Sequence, residues 1–379
     1  MREGWEAKSW GEVLEIRSGR NQKEVLNPNG KYPILGSAGK IMGYADDYIC
    51  EAGTTIVGRK GTINNPLFIN EKFWNVDTAF GLHSLEELDR YYLHYFCLNT
   101  DFTELDKGSG RPSLVKKDLL QISIPIPPLT EQQQIVEILD QAFEAIDQAK
   151  ANIEKNIENA KELFQSKLND IFSQKGEGWE EKTLKQMSKI MYGYTSKVVE
   201  NGNVQYVRIT DIQDGNVNWN TVPFVNISEE EKPKYQLTKG DIVFARTGAT
   251  TGKSYLMENP PNSVFASYLI RVQCDSSILL PSFLYLFFQS GIYWQIVELG
   301  TSGSAQGGFN ASKLGAMKIH FPKDKNQQLE YVNLIESIRM PIDEMIMNYQ
   351  IKLNDLEELK KSILQKAFAG ELTNKTVGV

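Results

Sequence analysis

Two long stretches without glycine, opening at Gln132-Gln133 and at Gln327-Gln328, each follow a segment built of short apolar runs cut by glycine turns. That alternation constrains the fold most, because a chain that repeats its features in one order folds as repeated modules. Gly4-Trp5-Glu6-Ala7-Lys8 returns as Gly178-Trp179-Glu180-Glu181-Lys182, and Ile56-Val57-Gly58-Arg59-Lys60-Gly61 has a looser echo in Ile242-Val243-Phe244-Ala245-Arg246-Thr247-Gly248. A Gly/Ser-rich loop (107–111, then 300–304) precedes a short apolar segment ending in proline, Ile124-Pro125 and Phe321-Pro322. Leu163/Ser166/Leu168/Phe172 matches Leu359/Ser362/Leu364/Phe368 near the ends of the glycine-free runs. The chain reads A-B-A′-B′, with A at 1–127, B at 128–175, A′ at 176–322 and B′ at 323–379.

The B segments read as helices. Thr130 is placed to cap the first, with Gln133 three residues on, and apolar side chains recur at Ile135, Ile138, Leu139, Ala142, Phe143, Ile146, Ile153, Ile157, Phe164, Leu168 and Ile171. Helical from Thr130 to Gln174, the run would extend roughly 65 Å. The second stripe passes through Leu329, Val332, Leu334, Ile335, Ile338, Ile342, Ile346, Tyr349, Leu353, Leu356, Leu359, Ile363 and Phe368, with Pro341 expected to kink or interrupt it. Neither helix has enough globular protein beside it to cover its stripe, so the two are expected to pair as an antiparallel coiled coil. Two separate bundles would need more helices than either segment supplies.

The A segments read as mixed α/β. Thr54-Thr55-Ile56-Val57 and Gly240-Asp241-Ile242-Val243-Phe244 have strand character, whereas Arg90 to Phe96 and Pro281 to Phe287 suggest one short buried helix each.

A formal charge of −7 would ordinarily argue against a phosphate-rich partner. Its placement changes that reading. Residues 130–175 hold nine acidic and five basic side chains and residues 324–372 nine and six, so the remaining residues balance at 30 of each sign and local basic loops can still face an anion. Cys50, Cys97 and Cys274 are too scattered for a disulfide framework or zinc set and read as buried thiols. Without an N-terminal leader pattern or a membrane-length apolar run, a cytoplasmic location is expected.

Pro125-Ile126-Pro127-Pro128-Leu129-Thr130-Glu131-Gln132-Gln133-Gln134-Ile135-Val136 resembles the junction between recognition domain and spacer helix in specificity subunits of type I restriction-modification systems. Tyr32 to Gly39, Ile56 to Gly61 and Val243 to Lys253 are similar to segments of those recognition domains. The resemblance covers essentially the whole chain but departs at the second junction, Phe321 to Gln328, which lacks the double proline and the Glu before Gln. It implies an α+β fold class, two similar target-recognition domains joined by two spacer helices. It also implies a bipartite, asymmetric DNA target, one half-site per domain, with the helices setting the gap. Two methyltransferase subunits would dock on the chain and restriction subunits would complete the enzyme. S-adenosylmethionine and ATP would belong to those partners, with no cofactor or metal in this chain.

For DNA contact the candidates are Arg59, Lys60, Lys107, Ser109 and Arg111 in the first domain and Arg246, Lys253, Ser302, Ser304 and Gln306 in the second. Arg suits guanine, Gln suits adenine, and Lys or Ser more often fixes phosphate. The alternative for any one of them is a solvated side chain, and Lys107 and Lys253 are expected to hold phosphate rather than read a base. Two rival functions are a stand-alone DNA methyltransferase or nuclease, and a coiled-coil assembly scaffold that does not read DNA. The first lacks its motifs. Gly248-Ala249-Thr250-Thr251-Gly252-Lys253-Ser254 has three residues between its glycines where a phosphate-binding loop needs four. A basic loop reaching DNA or a solvated strand-to-strand turn accounts for it. Asn259-Pro260-Pro261-Asn262 lacks the aromatic residue that stacks on a flipped base, and reads as a proline turn. His83, His94 and His320 have no nucleophile grouped with them in the sequence and read as structural.

Overall fold

A computed structural model describes residues 2–174, 176–213, 215–301 and 308–373. The chain forms two compact units, one from Met1–Glu154 with Gln350–Val379 and one from Lys155–Tyr349.

In the first unit the strand Glu6–Ser9 pairs antiparallel with Ser123–Ile126, the strand that leads into the first long helix. Ser9 and Glu12 then form a capping box, and the single turn Trp10–Val13 buries Trp10 and Val13. A four-stranded antiparallel sheet follows in the order Leu14–Ser18, Ala79–Ser84, Thr54–Gly58, Leu67–Ile69. Thr54–Gly58 is central and buried at every position, which is why its sequence is a continuous run rather than an alternation. A three-stranded sheet sets Tyr32–Leu35 between Ile41–Ala45, antiparallel, and Trp74–Asn75, parallel. The helix Arg90–Asn99 is capped by the Asp89 carboxylate, which accepts from the amides of Tyr91 and Tyr92.

The second unit repeats this plan. Trp179–Thr183 pairs with Lys318–Pro322, and a capping box of Thr183 and Gln186 starts the turn Leu184–Met187. Its sheets run Ser188–Tyr192, Leu269–Cys274, Ile242–Ala245, Ser254–Leu256 and Phe224–Val225, Val204–Val207, Ser263–Phe265. The helix Pro281–Phe287 takes the place of Arg90–Asn99. The two strands and two short helices named from the sequence are present, but the second domain carries more than the one helix expected, adding Gly291–Thr301 and Ala311–Ala316.

The long helices are Leu129–Phe172 and Lys325–Ala369. The first begins directly after Pro128, whose carbonyl accepts from Glu131 and Gln132, so Thr130 lies inside the first turn and is not the cap. The rigid Pro127-Pro128 pair brings the chain to that point extended, and the helix starts as soon as the prolines end. Pro341 does not interrupt the second helix. The carbonyl it leaves without a helical partner is that of Ser337, an exposed residue, where water can take the acceptor.

Within each unit the two long helices run antiparallel. In the first unit Asp147 pairs with Lys360 and Lys150 with Glu357, so the numbers run in opposite directions. The apolar contact there comes from Ile135, Val136 and Leu139 with Leu364 and Ala367. In the second unit Leu168, Ile171 and Phe172 share a core with Ile335, and the Arg339 guanidinium lies over Phe164. Four residues of the expected stripes, Ile138, Leu329, Leu334 and Leu359, are exposed instead. Each helix end packs on its own domain, and that domain rather than the periodicity chooses the covered face.

Two buried glutamines fasten helix to domain. Gln132 donates to the carbonyls of Glu87 and Pro127, both at 2.9 Å, and accepts from the Asp89 amide at 2.8 Å. Gln328 repeats the set with Ile278 at 2.9 Å, Pro322 at 2.8 Å and the Leu280 amide at 2.8 Å. Both are fully buried, so each substitution would strand three backbone groups. Gln132→Ala is therefore expected to cost at least about 2 kcal/mol, read as a lower urea midpoint. An unchanged midpoint would show that the clamp does not contribute.

Candidate nucleic-acid interface

The five first-domain candidates meet at one end of the four-stranded sheet. The chain leaves Thr54–Gly58 at Arg59, and the amides of Arg59 and Lys60 both donate to the Thr78 carbonyl, at 2.8 and 3.2 Å. The loop of residues 107–111 is stitched to this point, because Leu114 donates to the Arg59 carbonyl at 2.9 Å and Gly61 to that of Pro112 at 2.9 Å. The Asp106 carboxylate braces the loop by accepting from the amides of Ser113 and Gly108, and these bonds hold its carboxyl below the usual range. Gly61 has φ +83, and a Cβ there would come within 2.9 Å of an Arg111 nitrogen, so the arginine lies across it. Lys60, Lys107, Ser109 and Arg111 are exposed and Arg59 half-exposed.

In the second domain Arg246 follows Ile242–Ala245 as Arg59 follows its strand. The loop return is also the same, since Phe309 donates to the Arg246 carbonyl at 2.9 Å. Lys253 is exposed at the other side of that hairpin, where its carbonyl accepts from the Ala245 amide. Ser302, Ser304 and Gln306 lie outside the described residues.

Among the described residues no carboxylate pairs with Arg59, Lys60, Lys107, Arg111, Arg246 or Lys253, whereas Arg2, Arg17, Arg208, Arg271 and Arg339 each have one. Unpaired cations gathered at one sheet end make a local positive field in a chain whose net charge is negative. Three further residues at this end escape sequence reasoning. Arg20, exposed, follows Leu14–Ser18 with its amide on the Asn75 carbonyl, and its counterpart region in the second domain presents Tyr192 and, in the turn before the neighbouring strand Leu269–Cys274, Tyr268. A signal existed in the glycine after each first sheet strand. A Cβ on Gly19 or Gly193 would sit 1.8 Å from the Val76 carbonyl oxygen or 2.3 Å from that of Ala266, so both positions demand glycine.

The segment Gly248 to Lys253 joins two strands through a single 3-10 turn, Gly248–Thr250, and opens no α-helix, which removes the helix N-terminus a phosphate loop depends on. His94 is half-buried beside Phe68 and Tyr95, and the loss of solvent around the ring pulls its pKa down to about 4. His320 contacts Glu181 across a strand pair, and His83 faces Thr54. Burial pushes the thiols of Cys50 and Cys274 up to about 12 and raises Cys97 as well. Cys274 is half-buried rather than buried. Among the described residues no helix is long and apolar enough to cross a membrane.

One α/β module built twice, each copy carrying an unpaired cationic rim and each seated on antiparallel long helices, defines a duplicated recognition subunit. The type I restriction modification DNA specificity domain matches the chain twice, over residues 2–159 and 176–335, and the chain belongs to that family. It is a DNA sequence-recognition subunit. A putative type I restriction enzyme specificity subunit of Haemophilus influenzae is 26% identical over 327 residues, covering 80% of each chain. The EcoKI specificity subunit of Escherichia coli K12 is 28% identical over 290 residues, 72% of this chain and 62% of that one. A structure solved in work on assembly and conformational transition of the type I restriction-modification system matches 98% of this chain and 99% of its own at TM-score 0.81 and 18% identity, a likeness of fold.

Proposed function

We propose that the two domains read the two halves of one bipartite, asymmetric DNA target, and that the chain carries no methyl-transfer or cleavage chemistry of its own. Two methyltransferase subunits, joined by restriction subunits in the full enzyme, are brought to DNA by it in the cytoplasm. S-adenosylmethionine and ATP are bound by those partners. The observation that carries this reading is the repeated sheet end. Equivalent backbone positions, Arg59 and Arg246, emerge from equivalent strands into loops whose cations, among the described residues, have no acidic partners. Asymmetry follows from what surrounds them. The first domain adds Lys60, Lys107, Ser109 and Arg111, and the second adds exposed tyrosines, so the two surfaces cannot favour the same bases.

The test is to map methylated sites in cells expressing the chain with its methyltransferase partner, beside the purified chain supplied with S-adenosylmethionine. One bipartite motif with unlike halves is expected from the first and no methyl transfer from the second. Exchanging residues 1–127 for those of a relative should change one half-site only. Methyl transfer by the chain alone, or a change in both half-sites, would overturn the proposal.

A further inference from the structure

The arginine that leaves the second domain's sheet is held in an unusual way. Its amide donates to the Tyr268 carbonyl at 3.3 Å and its carbonyl accepts from Phe309 at 2.9 Å, so the backbone of Arg246 is fixed on both sides. Its guanidinium lies over two rings, 4.9 Å from the centre of Tyr192 and 5.8 Å from that of Tyr268. The Tyr192 hydroxyl in turn accepts from the Ala311 amide at 3.1 Å. The Arg246 Nε is buried with no hydrogen-bond partner, and among the described residues no acceptor bonds the guanidinium. Arg59 occupies the matching backbone position, with its amide on Thr78, its carbonyl accepting from Leu114 and its guanidinium 5.7 Å from the centre of Phe80; unlike Arg246 it already donates one guanidinium N–H to a carbonyl, that of Asp77 at 3.4 Å, and among the described residues no carboxylate pairs with it.

A cation partly withdrawn from water and left without an anion is costly unless a ligand supplies acceptors. Stacking also restricts what that ligand can be. A guanidinium laid on a ring keeps its outer edge free, so it meets acceptors edge-on in one fixed plane, whereas a phosphate contact tolerates a flexible point charge such as Lys107 or Lys253. The O6 and N7 edge of guanine in the major groove is the base edge that offers two acceptors to such a fork.

We propose that Arg59 and Arg246 are matched guanine readers, one per half-site, and that Phe80 in the first domain and Tyr192 with Tyr268 in the second are positioning residues that hold each guanidinium in register. This rests on the reading of the chain as a DNA-recognition subunit and adds the base and the residues that select it.

The experiment maps methylation motifs of the complete methyltransferase complex carrying single substitutions, with circular dichroism to confirm folding. Arg246→Lys keeps the charge but loses the planar fork. It is expected to relax one guanine position of one half-site by about tenfold and to leave the other half-site unchanged, with Arg59→Lys acting on the opposite half. Tyr268→Leu should relax the same position as Arg246→Lys, and Tyr268→Phe, which keeps the ring, should restore the wild-type motif. A half-site without guanine, an unchanged motif in both lysine variants, or a uniform loss at all positions would overturn the assignment while leaving DNA recognition intact. A wild-type complex that methylates no defined motif would instead refute the recognition reading, and this assignment with it.

Discussion

Four residues added to each long helix where the chain passes between its compact units, near Asn156 and after Tyr349, are expected to widen the gap between half-sites by one or two base pairs. The chain makes that passage twice, at Glu154/Lys155 and at Tyr349/Gln350, and both crossings lie inside helices. Four residues are about one turn, so each insertion lengthens its helix by roughly 6 Å and nearly restores its face. B-form DNA advances about 3.4 Å per base pair along each strand, which sets the size of the change. Half-site sequences should stay as they were. Mapping methylated sites of the insertion variant with its partner reads both quantities, and full activity at the original gap would show that the helices do not set the spacing.

Removing the aromatic anchor at either helix end should have the largest effect on stability. Phe172 packs against Phe283 and Phe287 at 5.2 and 5.3 Å between ring centres, and Phe368 against Tyr92 and Phe96 at 5.1 Å each. Each anchor thus joins the last turns of a long helix to the short helix of one domain. Phe172→Ala is expected to cost about 3–5 kcal/mol, because the site loses the ring's burial and keeps a cavity in the surrounding core. Chemical denaturation measures it. A midpoint within error of the wild type would show that the end of the first helix is dispensable for the second domain.

That pair of phenylalanines was visible beforehand as a repeated spacing, Leu163/Ser166/Leu168/Phe172 against Leu359/Ser362/Leu364/Phe368, although nothing in it named the rings they meet. The glutamines at 132 and 328 were visible in the same way, as markers of the helix starts. Their role was not, since a buried glutamine reads as a surface residue until the backbone groups it satisfies are brought to it from residues 87–89 and 278–280. Arg59, Lys60 and the loop at 107–111 stand out in the sequence by composition, and the structure brings Lys107, Ser109 and Arg111 to the sheet end where Arg59 and Lys60 lie. Tyr192 is marked only by the glycine that follows it, and nothing in the sequence marks Tyr268. Tyrosines in or next to strand-like runs resemble core residues, and only the tertiary structure reveals that these two, one ending a strand and one in the turn before a strand, are exposed beside Arg246.

The sequence by itself determined the duplication, the order of domain and helix, and the two long helices, because propensity, periodicity and repeated spacing are local properties that neighbouring residues carry together. Tertiary structure alone decided which faces of those helices are covered, leaving Ile138, Leu329, Leu334 and Leu359 exposed. It also decided which scattered cations share one sheet end. Both outcomes depend on strand pairings such as Gly58 with Ala79 and Ala245 with Leu269, contacts between residues more than twenty positions apart that no local pattern encodes.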